Sequence, residues 1–179
     1  RGYVPEPILN HTPAAKEILA AGADLKNTFC FVKGCHYLLS EHIGDLENPA
    51  VYRHYIRSID HLAGLFEMKP EVVVYDLHPT YFSTQFAQQY AKQADIQTMA
   101  VQHHWAHAAA VMAEYDLHGD VIALVADGTG YGTDDAIWGC ECLVCSLTQM
   151  QRFGHLEYYP LAGGDAASVE AIRPILGLS

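Results

Sequence analysis

Residues 71–110 read EVVVYDLHPTYFSTQFAQQYAKQADIQTMAVQHHWAHAAA, and this stretch decides the fold. The apolar runs at 71–77 and 96–101 predict two strands, the first too uniformly apolar to face water on one side. Aromatic residues recur at helical spacing between the two runs, and residues 103–115 predict a further helix. Helical crossovers between apolar strands are typical of a layered α/β domain.

The flanking sequence extends this pattern in both directions. The proline-rich residues 1–14 predict a linker, and three apolar runs follow, with turns at Gly22 and Gly34 that predict an antiparallel three-stranded meander. Asn48, followed by proline, predicts a helix start. Residues 121–127 again predict a buried strand. The resulting order, β-β-β-α-β-α-β-α-β, predicts an α/β domain with a mixed sheet.

The composition changes after residue 120, where glycine-rich and hairpin-like sequence begins. We therefore predict a first lobe at 15–119 and the beginning of a second, truncated lobe at 120–179. We expect a fragment of a longer protein, because the chain starts without methionine and stops soon after a helical segment begins.

Composition and charge narrow the functional classes. Of 179 residues, 50% are hydrophobic and 17% charged, which is typical of a globular protein. The formal net charge of −11 disfavours nucleic acid as a partner, so an anionic ligand would need backbone N–H groups, a helix N-terminus or a metal. Five cysteines without a signal sequence predict reduced thiols in the cytoplasm, and no apolar run predicts a membrane span.

Three histidines lie within five positions of one predicted helix. His103 and His107 are four residues apart and therefore share a face, as two metal ligands must, while His104 pairs with His107 three residues on. Neutral imidazoles suit Fe²⁺ or Zn²⁺. A zinc-protease pattern needs Glu where His104 stands, which weakens that interpretation. Ordinary hydrogen-bonded helix residues remain the alternative.

The sequence DGTGYG follows the predicted strand at 121–127. Gly128 and Gly130 would let the backbone approach a phosphate, Thr129 adds a hydroxyl, and Asp127 could hold a cation. A glycine-rich hairpin turn is the alternative.

Two further patterns are open to more than one interpretation. Gly164 precedes Asp165, which could cap a helix or reach a ribose hydroxyl. Cys140, Cys142 and Cys145 have a metal-like spacing, but on a strand the first two share a face that Cys145 opposes, so we predict buried thiols.

An ordered series of motifs resembles one protein family. The motifs are GADLKNTFC, LSEHIGDLEN, YDLHPTYFST, VQHHWAHAAAVMAE, ADGTGYGTDDAIWGCE and PLAGGDAA. Together they resemble the hydrogenase-maturation carbamoyltransferases of the HypF family, in the first part of their ATPase-fold carbamoyltransfer domain. The wider relatives are the tRNA threonylcarbamoyladenosine synthesis protein and the antibiotic O-carbamoyltransferases.

The resemblance implies a fold and an activity. The fold would be the two-lobed actin/Hsp70/sugar-kinase-like ATPase fold, here the first lobe plus the start of the second. Family members take carbamoyl phosphate and ATP, form carbamoyl adenylate in a separate domain, and transfer the carbamoyl group to the C-terminal cysteine of HypE. The product leads to the cyanide ligands of the nickel–iron hydrogenase centre.

The resemblance also implies roles for residues. An Fe or Zn ion would be bound by His103, His107 and Asp127, and Mg²⁺ is a further candidate cofactor. A second set of residues would bind ATP or carbamoyl adenylate. Its members are Asp127, Gly128, Thr129, Gly130, Gly164 and Asp165. The family usually has glycine where Cys140 stands, and a basic residue where Val169 stands.

Two other functions stay open at this point. One is a tRNA threonylcarbamoyl transferase, which the strong acidity disfavours. The other is a non-catalytic half-domain, because one lobe and part of another would not close around ATP.

Overall fold

The computed structural model describes residues 6–158, together with Val4, Gly163 and Ile172. The elements in chain order are β1 (Ile8–Leu9), β2 (Ile18–Ala20), β3 (Cys30–Lys33), β4 (His36–Leu39), α1 (Pro49–Leu65), β5 (Val72–Asp76), α2 (Phe82–Ala94), β6 (Gln97–Val101), α3 (His103–Glu114), β7 (Val121–Tyr131), β8 (Ile137–Cys145) and β9 (Met150–His155). None of the helices described is long and apolar enough to cross a membrane.

The first sheet has six strands in the order β1-β4-β3-β2-β5-β6. The predicted meander is confirmed, because β2, β3 and β4 pair antiparallel in succession. Strand β5 pairs parallel with both β2 and β6, so the predicted mixed sheet is confirmed too. Ile8 and Leu9 pair with β4, which shows that the prolines of residues 1–14 do not exclude a short edge strand there.

The first hydrophobic core lies between this sheet and helices α1 and α2. Leu19 and Val73 on the central strands are fully buried, as are Tyr55 of α1 and Ala87 of α2. The Tyr55 hydroxyl donates to the carbonyl of Ala21 at 3.0 Å. This bond avoids the cost of a buried hydroxyl without a partner.

Helix α1 begins where the sequence predicts. Asn48 is the N-cap, and its side-chain oxygen accepts a hydrogen bond from the backbone N–H of Ala50 at 2.9 Å. The proline after it occupies the first helical position, where no N–H is needed.

Helix α2 is capped from a distant part of the chain. Its N-cap residue, Tyr81, makes no side-chain hydrogen bond to the helix. Instead the buried carboxylate of Asp24 accepts hydrogen bonds from the backbone N–H groups of Phe82 at 2.8 Å and Ser83 at 3.0 Å. A negative charge at a helix N-terminus is favourable, which explains why a carboxylate is buried here.

The second sheet is an antiparallel meander in the order β7-β8-β9. Helix α3 packs against it, so that Ala108 joins Trp138, Leu143 and Cys145 in a second hydrophobic core. The helix therefore belongs by sequence to the predicted first lobe at 15–119 and by packing to the second sheet. The lobe boundaries themselves stay a prediction.

The prediction of a buried strand at 121–127 is wrong. Ile122 and Leu124 of β7 are 78% and 76% exposed, and they alternate with half-buried residues. Within the described residues α3 covers one face of β7, so every second side chain points away from the core.

Replacing Asp24 should destabilise the first core region. Asp24→Ala leaves the N–H groups of Phe82 and Ser83 buried without an acceptor, which we expect to lower the free energy of unfolding by about 1–3 kcal/mol. Urea denaturation followed by far-UV circular dichroism measures the change. Asp60→Ala, on the exposed surface of α1, is the matched control, and equal midpoints for the two variants would contradict the capping role.

Candidate metal centre

Three side chains converge beside the first turn of α3. His103 and His107 come from the helix and Asp127 from β7, and one ligand atom of each lies within 4.8 Å of the others. Nε2 of His103 is 3.1 Å from Oδ2 of Asp127. The four-residue spacing of the two histidines places both imidazoles on the helix face that points at β7. The structure thus brings together the three residues predicted as metal ligands.

Asp76 orients the first of these ligands. It is the last residue of β5, and its Oδ2 lies 2.6 Å from Nδ1 of His103, with little of either side chain exposed. The pKa of His103 is raised, foremost by this hydrogen bond from the ring to the Asp76 carboxylate. With the Nδ1 proton held by Asp76, Nε2 of His103 is directed toward the cluster, as in the carboxylate–histidine pairs of metal sites.

Sequence reasoning missed Asp76. The signal was present in YDLHP, because Asp76 ends a buried strand at the carboxyl edge, where α/β sheets place ligand-binding groups. The same rule located His103, which follows the neighbouring strand β6.

The carboxylate of Asp127 is suited to a cation. Its Oδ1 accepts the backbone N–H of Gly128 at 2.8 Å. Its Oδ2 is buried and has Nε2 of His103 at 3.1 Å, but makes no well-aligned hydrogen bond to any residue that the structure describes. A buried acceptor without a well-aligned donor is costly, and a divalent metal would satisfy it. Two imidazole nitrogens and a carboxylate oxygen are donors that suit Fe²⁺ or Zn²⁺, so these residues fit the predicted metal.

His104 is fully buried, and its Nε2 lies 3.9 Å from Oδ2 of Asp127. Its Nε2 lies 2.7 Å from the carbonyl of Gly139, so this nitrogen carries the proton, and its Nδ1 accepts from the amide of Gln102 at 3.1 Å. Burial lowers the pKa of His104, which favours the neutral ring. Both nitrogens of His104 are therefore hydrogen-bonded within the protein.

The glycine-rich segment is a bulged strand and not the hairpin turn that the sequence left open as an alternative. Strand β7 continues to Tyr131, with a register shift between Ala126 and Gly130 that interrupts its pairing with β8. Gly128 and Thr129 are exposed on the bulge. Their contact with a nucleotide stays a prediction.

Gly130 is buried against α3, unlike the two residues before it. A Cβ at this position would lie 2.5 Å from Cε1 of His104 and 3.0 Å from Cβ of His103. The glycine therefore lets the strand approach the first turn of the helix. Its contact with a nucleotide stays a prediction.

Two further groups of residues were singled out from the sequence. Gly164 and Asp165 are outside the described residues. The three cysteines of β8 are free thiols on a strand, as predicted. The prediction of burial is confirmed for Cys145, but Cys140 and Cys142, on the other face, are only half-buried.

A cavity of about 480 Å³ adjoins the cluster. His107 and Asp127 line one end, and it continues between α3 and the edge of β7 past Met112 and Val121. Asp76 and His103 close the cluster on one side, while His107 is exposed. The cluster is therefore accessible to a ligand from the side of His107.

Two family descriptions match the chain. A HypF Kae1-like domain matches residues 13–114, and the second subdomain of a carbamoyltransferase Kae1-like domain matches residues 123–179. Carbamoyltransferase HypF2 of Cupriavidus necator is 41% identical over 173 residues, which are 97% of this chain and 21% of that protein. Carbamoyltransferase HypF of Synechocystis sp. is 40% identical over 168 residues, 93% of this chain and again 21% of that protein.

Solved structures agree with these matches. A full-length HypF in a phosphate- and nucleotide-bound form superposes with a TM-score of 0.92 at 46% identity, and HypF of T. kodakarensis with 0.92 at 38%. Each comparison covers 99% of this chain and 23% of the other. The predicted fold class is confirmed as a Kae1-like α/β domain, and the chain spans about a fifth of the length of these relatives.

Removing the orienting carboxylate should weaken metal binding without unfolding the protein. We expect Asp76→Asn to raise the dissociation constant for Zn²⁺ or Fe²⁺ by roughly 10–100-fold, because the amide no longer fixes the His103 proton on Nδ1. Competition with a chromophoric chelator measures the constant. Asp60→Asn on the α1 surface is the control, and an unchanged constant for Asp76→Asn would remove Asp76 from the site.

Proposed function

Because this chain belongs to the HypF family of carbamoyltransferases, we propose that it forms part of a site that transfers a carbamoyl group to a thiol. The donor would be carbamoyl adenylate, made from carbamoyl phosphate and ATP, and the acceptor the C-terminal cysteine of HypE. One observation carries the proposal: ligand atoms of His103, His107 and Asp127 lie within 4.8 Å of one another, and the buried Oδ2 of Asp127 makes no well-aligned hydrogen bond among the described residues.

The chain's own residues have distinct tasks in this reaction. His103, His107 and Asp127 would hold a divalent metal, Fe²⁺ or Zn²⁺, with Asp76 keeping the proton of His103 on Nδ1. A metal bound there supplies Lewis acidity toward the carbonyl or phosphoryl oxygens of the adenylate. The cavity beside His107 gives the donor and the acceptor thiol room to approach from the same side.

The bulge in β7 is our candidate for phosphate contact. Gly128 and Thr129 are exposed next to Asp127, so backbone N–H groups and one hydroxyl lie beside the metal ligands. Mg²⁺ is a further candidate there, since it binds together with substrate phosphates. A full-length HypF, of which this chain matches 23%, is described in a phosphate- and nucleotide-bound form.

The nucleophile in this proposal comes from the partner. A thiol must lose its proton to attack, and burial works against that in this chain. Burial raises the pKa of Cys30 to about 12 and raises the pKa of Cys145 as well. These two thiols are therefore poor nucleophiles at neutral pH, which favours a cysteine supplied by HypE.

The decisive experiment removes two ligands at once. In the full-length protein that contains this chain, His103→Ala/His107→Ala should lose the bound metal and slow thiol carbamoylation by on the order of 10²–10³-fold, because the carbonyl is no longer polarised. Elemental analysis gives the metal content, and mass spectrometry of HypE gives the carbamoylation rate.

The matched control is His54→Ala/His61→Ala, a pair on the surface of α1. If the site variant keeps full metal and full carbamoylation, the proposed roles are wrong. Carbamoylation or threonylcarbamoylation of tRNA in place of HypE would instead identify the alternative transferase, which the net charge of −11 disfavours.

We also propose that this chain alone does not catalyse the transfer, since it spans only about a fifth of its relatives. Isothermal titration with ATP should show no micromolar binding by the isolated chain and clear binding by the full-length protein. Micromolar binding by the isolated chain would contradict this proposal.

A further inference from the structure

We propose that Gln102 and His104 are positioning residues of the metal centre, which they hold in place by fastening the first turn of α3 to the second sheet. The inference rests on the proposed metal-binding function and adds two residues that do not contact the metal. Three side chains at the beginning of α3 donate hydrogen bonds to backbone carbonyls, one in β7, one in β8 and one directly after β8.

Each of the three hydrogen bonds joins one side-chain donor of α3 or its N-cap to one backbone carbonyl. The amide of Gln102 donates to the carbonyl of Tyr131 at 3.1 Å. The ring of His104 donates to the carbonyl of Gly139 at 2.7 Å. The indole of Trp105 donates to the carbonyl of Ser146 at 2.8 Å, so the helix is attached to β7, to β8 and to the residue that follows β8. We call these three residues the α3 clamp.

Gln102 uses every polar atom of its side chain. Its oxygen accepts the backbone N–H of Trp105 at 2.9 Å and so caps the helix. Its nitrogen donates to the carbonyl of Tyr131 and also lies 3.1 Å from Nδ1 of His104. Because that nitrogen has two hydrogens, both contacts are satisfied, and the His104 proton is directed to the Gly139 side.

The clamp acts on the part of the second sheet that carries Asp127. Gly139 stands opposite the bulge, where a Cβ added to it would lie 3.7 Å from the carbonyl of Gly128 and 3.9 Å from that of Asp127. On the other side, the missing Cβ of Gly130 makes room for the His104 ring. The bond from His104 to Gly139 therefore sets how close α3 comes to the strand that bears the third ligand.

If His104 only filled space in the core, it would not need the hydrogen bond from its ring to Gly139. All three metal-ligand candidates lie on α3 and β7. Gln102 joins α3 to β7 directly, and His104 joins it to β8, the strand that pairs with β7. A small displacement of α3 would move His103 and His107 together relative to Asp127. Metal affinity is therefore the property that should respond most.

The test compares two replacements of His104 in the full-length protein. His104→Phe keeps the ring shape but removes the donor to Gly139, and we expect the dissociation constant for Zn²⁺ or Fe²⁺ to rise by roughly 10–100-fold. His104→Gln can place an amide N–H near the Nε2 position, and we expect it to recover most of the affinity. Chelator competition measures the constants.

A variant at a second position keeps the proposal testable if His104→Phe does not fold. Gln102→Met removes the donor to Tyr131 and the donor to His104 while keeping the side-chain length, and it should also weaken metal binding by roughly 10-fold. Affinities are compared under conditions where each variant has the far-UV circular dichroism of the unmodified protein. His61→Phe, the same replacement on the exposed α1 surface, should change nothing.

The outcomes separate the two ideas. If folded His104→Phe and Gln102→Met bind metal as tightly as the unmodified protein, the positioning role is overturned and the metal centre stands. If His104→Gln is as weak as His104→Phe, the bond to Gly139 is not the cause, and the proposal fails. If the unmodified protein binds neither metal, the proposed metal centre is wrong, and the positioning role is wrong as well.

Discussion

The hydrogen bond between Asp76 and His103 joins the two halves of this structure. Asp76 ends β5 in the first sheet, whereas His103 begins a helix that packs on the second sheet. The bond leaves Nε2 of His103 facing Asp127, so the candidate metal centre lies where the carboxyl end of one sheet meets the edge strand of the other. Without this contact the histidine could turn, and the cluster would lose the ring whose nitrogen comes nearest Asp127.

Much of the architecture follows from local sequence signals. Asn48 and the proline after it predicted the exact start of α1, and the four-residue spacing of His103 and His107 predicted their shared face. These features depend on neighbours along one helix, for which periodicity is sufficient. The exposure of Ile122 was not predictable in the same way, because an apolar run does not reveal how many layers cover the strand.

The partners of Asp24 and Asp76 were not visible in the sequence for a different reason. Asp24 and Asp76 act on backbone or side-chain groups 58 and 27 residues away, and no periodicity connects such distant positions. Spacing alone left His104 as a possible partner of His107, although the family resemblance implied His103 and His107 as the ligands. The contacts with Gly139 and Gln102 show what the sequence did not, namely that both ring nitrogens of His104 are hydrogen-bonded within the protein.

The separation of the two hydrophobic cores has a consequence for folding cooperativity. Among the described residues the clusters share no member, and α3 contributes to the second alone. Apolar burial therefore does not by itself make the two regions unfold together. Cooperation between them depends on the chain connection at Gln102 and on the few contacts that cross, such as Asp76 with His103 and the ring of His78 against Tyr131. Occupation of a site built at this junction would couple the stability of both regions, so a ligand held by a few atoms could govern how the whole chain opens.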